Sequence, residues 1–369
     1  MSGRCPVVVA AGGTGGHLFP AAALSQALAA RGIEVHLVTD ERMAKFGADF
    51  PAHAIHRIAA ATPSVGAVVS RATAIFTLIR GTVAARGLIK RIQPRVVIGF
   101  GGYPSVPPVL AAAQLRVPTL LHEGNAVIGR ANRFLASRVD AIAKSFEVLG
   151  GLPETMASKT HLTGNPVRPM VIDARAAFPD FADGTLRILV TGGSQGAKIF
   201  SDIVPAAIEL MPEAARQKLV VVQQARVEDE ERVCDVYRRL GVDAEVRSFF
   251  SGLPGRIAQA HLVIARAGAS TVAELAVIGR PAILVPLPHA LDQDQTANAK
   301  QFAATGAAIV VAQSAFSPQW LATALVKAQG DMTSLARRAA AAKRAGIADA
   351  AERLAGLVQG LMRDKDKNP

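Results

Sequence analysis

The sequence predicts an α/β protein of two domains, each built on a parallel sheet, and three observations carry that prediction. A β-branched strand running into a Gly-rich turn that opens a helix occurs twice, at VVVAAGGTGGH (Val7 to His17) and RILVTGGSQGA (Arg187 to Ala197). Short, nearly continuous apolar runs alternate with helical stretches along the chain, as strands buried on both faces of a sheet require. At 369 residues the chain is long enough for two hydrophobic cores.

In the first half, VVVAA, EVHLVTD, RVVIGFGG and TLLHEG read as strands. Helices are expected from about Pro20 to Arg31, from about Val65 to Arg91 and through Pro108 to Leu115. Two prolines and a glycine in GNPVRP (Gly164 to Pro169) mark a connector. The pattern then restarts at LRILVTGG and continues through KLVVVQQ, AEVRSFF, HLVIARAG and PAILVPLP. This divides the chain into residues 1–165 and 166–346. The Ala/Arg-rich stretch from Ser334 to Arg363 reads as helical. It either docks on the second domain or, over about 347–363, packs back on the first.

Composition narrows the class. Half the residues are hydrophobic and 19% are charged, which excludes a disordered chain. Cys5 and Cys234 are too few and too distant to form a metal site or disulfide framework, so a reducing compartment fits and no metal is expected. The N-terminus runs straight into a strand, leaving no room for a signal peptide, and no apolar run reaches the roughly 18 residues that span a bilayer. A cytosolic protein, or one held to a membrane from the cytosolic side, is expected.

The net charge of +12 is unevenly placed: residues 1–165 carry 17 Lys and Arg against 8 Asp and Glu, the remainder 24 against 21. Between Asp49 and Glu123 there is no carboxylate, while Arg57, Arg71, Arg80, Arg86, Lys90, Arg91, Arg95 and Arg116 all fall there. So one-sided a face calls for an anionic partner. The Val65–Arg91 helix sets Ile75, Phe76, Leu78 and Ile79 beside Arg71 and Arg80, more apolar surface than one buried face uses. Apolar insertion beside cations is the means of contact with an anionic membrane surface, here through residues 65–91. A nucleic-acid partner is not expected, since the stretch offers no aromatic stacking platform or RNA-binding motif.

The glycines have a steric purpose. A helix N-terminus presents unpaired N–H groups and partial positive charge, and only residues without Cβ let that backbone approach a diphosphate. Neither loop is the dinucleotide pattern GxGxxG or a P-loop. His17 closes the first loop, where a neutral imidazole can remove a proton from a hydroxyl. Phe100–Ser105 (FGGYPS) forms a third glycine turn at a strand end. The next strand end, LHEGN, supplies His122 and Glu123 to orient a ligand or cap a helix starting near Ile128, and Asn125 to bond a sugar hydroxyl. In the second half, RAGASTVAE (Arg266 to Glu274) opens a helix with small residues and a carboxylate suited to a ribose. The PLPHALDQDQTANA stretch concentrates His289, Asp292, Gln293, Asp294, Gln295 and Asn298, amides and acids able to read hydroxyls.

Together GGTGGHLFPA, GGYPS, HEGNAVIGRANR, GNPVR, GGSQGA, RAGASTVAE and DQDQTANA resemble the MurG family, in order from residue 12 to residue 299. The resemblance implies a GT-B fold, two Rossmann-like domains with parallel sheets facing across a cleft, and a C-terminal helix returning to the first. It implies an inverting glycosyltransferase that moves N-acetylglucosamine from UDP-GlcNAc to the muramoyl 4-hydroxyl of undecaprenyl-pyrophosphoryl-MurNAc-pentapeptide, peripheral to the cytoplasmic face of the inner membrane and needing no cofactor. It assigns sugar-nucleotide contacts to Thr14, Gly15, Gly16, Asn125, Arg168, Ser194, Ala269, Ser270, Thr271, Val272, Ala273, Glu274 and Gln295, with Phe250 beside the uracil and Glu274 on the ribose. His17 is the implied general base, with Glu123 the alternative.

Two departures stand out. Gly124 replaces the Gln of the family's frequent HEQN, and Asp294-Gln295 replaces paired glutamines, so either Gln293 or Gln295 is the sugar contact. Competing classes are a UDP-sugar epimerase on the same fold and a nicotinamide oxidoreductase, for which Asp40 is suitably placed but the glycine spacing is wrong.

Overall fold

A computed structural model describes residues 6–12, 15–41, 50–58, 68–193, 196–288 and 293–367. The chain forms two compact units, Met1–Arg168 with Ala348–Pro369, and Pro169–Ile347.

In the first unit, β1 (Val7–Ala10), β2 (Val35–Thr39), β3 (Ala54–Arg57), β4 (Val96–Gly99), β5 (Thr119–Glu123), β6 (Ala141–Lys144) and β7 (Thr160–Leu162) form one parallel sheet in the order β3-β2-β1-β4-β5-β6-β7. Its helices are α1 (Gly15–Ala29), α2 (Val68–Ile92), α3 (Val106–Gln114) and α4 (Arg130–Leu135). The central strands are apolar throughout because both faces are covered. Val7 and Val9 join one core with Leu24 and Leu28 of α1, while Val8 and Ala10 join another with Ala85 and Ile89 of α2 and Val109 of α3.

Helix α1 begins at Gly15, five residues before the expected start at Pro20. Pro20 lies inside the helix and has no N–H to give the Gly16 carbonyl four residues back, but Gly16 is exposed, so water can take the donor's place. Strands β3, β6 and β7 lie outside the sequence-based set: they are three or four residues long, and the edge strands β3 and β7 are half-exposed.

The second unit contains α5 (Pro169–Asp173), β8 (Leu186–Thr191), α6 (Lys198–Glu209), α7 (Glu213–Arg216), β9 (Leu219–Gln224), α8 (Val227–Arg239), β10 (Asp243–Arg247), α9 (Leu253–Gln259), β11 (Leu262–Ala265), α10 (Ala269–Ile278), β12 (Ala282–Leu284), α11 (Asp294–Ala304), β13 (Ala308–Val310), α12 (Pro318–Gly330) and α13 (Met332–Ala345). Its six strands are parallel, in the order β10-β9-β8-β11-β12-β13. Arg280 is 1% exposed at the end of α10. Its guanidinium donates to Ala258 O (3.0 Å), Ala177 O (2.7 Å) and Gly279 O (2.9 Å), so backbone carbonyls, two of them at the ends of α9 and α10, rather than a carboxylate offset its charge. Burial still lowers its pKa to about 10. This clamp fixes the rear of α10, whose front turn carries site candidates.

The Ser334–Arg363 stretch is two helices: α13 ends at Ala345, Gly346 is extended, and α14 (Ala350–Lys367) follows. Leu354, Ala355 and Val358 of α14 are fully buried in the first unit's core against α1. Burying a Leu or Val side chain stabilises by about 1.5–3 kcal/mol. Arg31 adds bonds to Glu352 Oε2 (2.5 Å) and Gln359 Oε1 (2.7 Å).

Candidate active site

The first unit gathers its candidates at the C-terminal ends of β1, β4 and β5. His17 lies in the first turn of α1, half-buried. Its imidazole rests against the Gly101-Gly102 turn after β4. A Cβ at Gly101 would sit 3.3 Å from His17 Cε1 and 3.5 Å from Nδ1, and one at Gly102 would sit 3.5 Å from Nε2. Both glycines have positive φ, 83° and 70°, so side chains there would be strained as well as crowded. The third glycine turn is therefore a seat for the ring that ends the first. Gly15 is buried and Gly16 exposed, and Thr14 lies outside the described residues.

Behind that turn is Glu123, 3% exposed. One carboxylate oxygen accepts from Asn125 N (3.0 Å) and Asn125 Nδ2 (3.3 Å), the other from Gly129 N (2.9 Å) and Asn132 Nδ2 (2.8 Å). Burial raises its pKa, and these four donors offset only part of that rise. Asn132 Nδ2 also lies 3.4 Å from the Gly101 Cβ position, so Glu123 reaches the imidazole seat through Asn132.

His122 corrects the expectation that it orients a ligand. It is 1% exposed, its Nε2 donates to Gly164 O at 3.3 Å, and its ring lies 5.0 Å from that of Phe100. Burial first, and His17 to a lesser extent, lower its pKa to about 4, against a weaker upward pull from the Gly164 bond. It is a neutral core histidine. Asn125 stays half-exposed beside it. The connector returns Arg168 to α1, its guanidinium carbon 4.4 Å from the Phe19 ring centre, two residues past His17.

The second unit repeats the strand, turn and helix with different internal supports. A Cβ on Gly192 would lie 2.3 Å from Ala197 N and 2.5 Å from Gly196 C, so this turn closes on itself and admits no side chain. Gln224, at the end of β9, accepts from Thr191 Oγ1 (2.9 Å) and Gly192 N (3.2 Å) and donates to Ser248 O (3.2 Å). Ser194 lies outside the described residues.

At the front of α10, Ala269, Ser270, Thr271 and Ala273 are half-exposed, and Val272 and Glu274 are buried. Ser270 Oγ is buried with no protein hydrogen-bond partner. Phe250 is 7% exposed under Arg256, whose guanidinium carbon is 4.5 Å from its ring centre. Gln295 Oε1 accepts from Leu287 N (3.1 Å) and Ala267 N (3.3 Å), stapling the ends of β11 and β12, whereas Gln293 is exposed with φ 52°. His289 and Asp292 lie outside the described residues. Among the described residues no group of three or more His, Cys, Asp or Glu side chains is placed to hold a metal.

Three polar residues at these strand ends escape sequence reasoning. Asn132 and Gln224 read as ordinary polar positions in a helix and a strand, and only their long-range partners reveal them. Asn165 of the connector is 6% exposed with both amide atoms unpartnered by protein. Its signal was present in GNPVR, where an Asn precedes a proline.

On α2, Phe76 (61%), Ile79 (56%) and Val83 (66%) are exposed large apolar residues, and Arg80, Arg86 and Lys90 share their face at helical spacing. No helix among the described residues is long and apolar enough to cross a membrane.

Two parallel-sheet units with glycine turns at their strand ends have the architecture of GT-B glycosyltransferases. The glycosyltransferase family 28 N-terminal domain matches residues 7–144, and the C-terminal domain of that family matches 187–354. Among curated relatives, the UDP-N-acetylglucosamine--N-acetylmuramyl-(pentapeptide) pyrophosphoryl-undecaprenol N-acetylglucosamine transferase of Methylorubrum extorquens is 55% identical, covering 95% of this chain and 96% of its own. That of Brucella suis is 50% identical over 97% and 95%. The chain belongs to the MurG family. The crystal structure of Acinetobacter baumannii MurG superposes with a TM-score of 0.79 at 30% identity, covering 96% of this chain and 99% of that one. A putative UDP-N-acetylglucosamine 2-epimerase from Listeria monocytogenes, at 13% identity and a TM-score of 0.66 over 98% of each chain, shares the fold alone.

Proposed function

We propose that the chain transfers N-acetylglucosamine from UDP-GlcNAc to the muramoyl 4-hydroxyl of undecaprenyl-pyrophosphoryl-MurNAc-pentapeptide, with inversion at the anomeric carbon. The identity of 50–55% to transferases of that name over nearly the full chain carries this reading, above the epimerase that shares only the fold.

The second unit holds the donor. Backbone N–H groups of the Gly192 loop and of Ala269, Ser270 and Thr271 meet the diphosphate, where the helix dipole offsets charge that grows as the bond breaks. Ser194 belongs to this loop. Glu274 accepts from the ribose, Phe250 lies by the uracil, and Val272 and Ala273 shape the wall. Gln295 reads the sugar through its amide NH2, because its carbonyl is occupied by Leu287 and Ala267.

The first unit holds the acceptor. His17 takes the proton from the 4-hydroxyl as that oxygen attacks the anomeric carbon; the bond from that carbon to the diphosphate oxygen breaks, and UDP leaves with the electron pair. Thr14, Gly15 and Gly16 keep the backbone close to the reacting sugar, with Asn125 and Arg168 as polar contacts. Glu123, whose two oxygens already take four hydrogen bonds, is a positioning residue rather than the base. The exposed apolar and basic face of α2 sits on the anionic cytoplasmic membrane surface that presents the lipid acceptor.

Incubation with UDP-GlcNAc and a soluble lipid I analogue must release UDP and form the disaccharide; absence of transfer overturns the assignment. If His17→Ala and Glu274→Ala both leave transfer intact, the site is wrong. Glu123→Gln separates base from brace: a brace loses stability while retaining the pH profile of kcat. Flotation with anionic vesicles, strong at low salt and weakened by Ile79→Glu with Arg80→Glu, tests the membrane face; equal flotation of that variant refutes it.

A further inference from the structure

The second unit contains a cavity of about 530 Å3 at the opposite end of its sheet from Gly192. Leu262 and Ala282, which open β11 and β12, form its floor with Pro281 and Ile283, and Ile309 of the edge strand β13 closes one side. Its roof is one face of α12, where Trp320, Thr323, Ala324, Lys327 and Ala328 recur at helical spacing. The hollow has a simple cause. Leu321 and Leu325 of the same helix fill the core, but the face toward β12 carries small side chains that leave space opposite Ile283. Domain interiors are packed to near crystal density, and a void of this size falls within the range of ligand pockets.

Shape and charge narrow the occupant. The trough follows α12 from Gln319 to Asp331, and the rise from Trp320 to Lys327 is about 10 Å, the length of a medium acyl chain. Its lining is mainly apolar, with Trp320 near the start of α12. Lys327, exposed, and Arg338 of α13, half-buried, also line the cavity, neither of them in an ion pair among the described residues. The one carboxylate there, Asp331, is engaged as the cap of α13, accepting from Ser334 N at 2.9 Å. Two cations and one occupied carboxylate thus line a mainly apolar trough.

We propose that this cavity binds a single-chain amphipathic carboxylate, its chain along α12 toward Trp320 and its head between Lys327 and Arg338. The site is separate from the nucleotide-binding turns of the same unit, because parallel strands place it at their N-terminal ends, whereas those turns follow the C-terminal ends.

Trp320 is the only tryptophan in the chain, so intrinsic fluorescence reports occupancy directly. Titrating the full-length protein with sodium decanoate must give a saturable change in Trp320 emission. The double variant Lys327→Ala, Arg338→Ala must weaken binding about tenfold, the scale of charge-assisted bonds. Ala324→Phe, which fills the trough, must abolish the response while UDP-GlcNAc binding persists. Decyltrimethylammonium, with the same chain and opposite charge, must not saturate where decanoate does. A linear, non-saturating response, equal binding of the cationic analogue, or full binding by the Lys327–Arg338 double variant each overturns the proposal. The surface pair decides alone should Ala324→Phe fail to fold.

Discussion

The glycine turn at Gly192 and the one at Gly101-Gly102 each follow a strand end, yet their surroundings differ in kind. Around Gly192 a Cβ would strike the loop's own backbone, and the brace is a neutral amide, Gln224. Around Gly101 and Gly102 the nearest atoms to an added Cβ belong to the His17 ring, and the brace is a buried carboxylate acting through Asn132. One loop is glycine so that the backbone can fold tightly and present N–H groups. The other turn is glycine so that an imidazole can stand against it. A shared motif therefore reports a shared fold, and the neighbours within about 4 Å decide whether backbone or side chain does the chemistry.

The sharpest way to break this contrast is His17→Ala. Loss of a general base lowers kcat by about 10²–10⁴-fold. Affinity for UDP-GlcNAc, measured by calorimetry, stays unchanged; an equal loss of donor affinity would show that both loops serve the donor.

The first unit also holds a histidine whose burial makes it respond to acid. His122 has a folded pKa near 4 against an unperturbed 6.5, so between these values the unfolded chain takes a proton that the folded chain refuses. Stability contributed by this site is full above pH 6.5 and is lost as pH falls toward 4, by about 3 kcal/mol at 1.36 kcal/mol per unit. Hydrogen exchange should show β5 losing protection between pH 7 and pH 5 more than β8 and β9 do, and His122→Gln should flatten the difference. Uniform loss in both units would refute the assignment.

Gly192→Ala follows in size. The overlap forces the turn to open, a strain costing about 1–3 kcal/mol, and UDP binding weakens while binding of the lipid I analogue does not. Gln224→Ala gives the smallest effect: removing bonds to Thr191 and Gly192 costs about 1 kcal/mol in UDP affinity without changing the pH dependence of kcat.

Much of the architecture was legible because buried parallel strands must be continuously apolar. VVVA and LRILVT could be placed from residue type alone, and the motifs they lead into carried the family resemblance. Legibility failed where partners are distant in sequence. Glu123 looks like a free acid beside a histidine, and its role depends on Asn132, nine residues away around a helix start. Gln224 is one of two amides ending a strand, and nothing local says that it holds a turn 32 residues earlier. Arg280 reads as an ordinary cation until backbone carbonyls converge on it. The edge strands β7 and β13, three residues long and partly exposed, carry too little apolar pattern to register.

The return of α14 to the first unit sets the order in which the molecule can mature. Residues 169–347 form a continuous segment and can fold as soon as they leave the ribosome, whereas the first unit lacks Leu354, Ala355 and Val358 until the last part of the chain is made. Until then the apolar surface around Leu24 and Leu28 waits uncovered. The half of the chain synthesised first is thus completed last, and a released chain that ends before residue 350 keeps the later-made unit's residues but leaves the earlier-made unit open to chaperones and proteases.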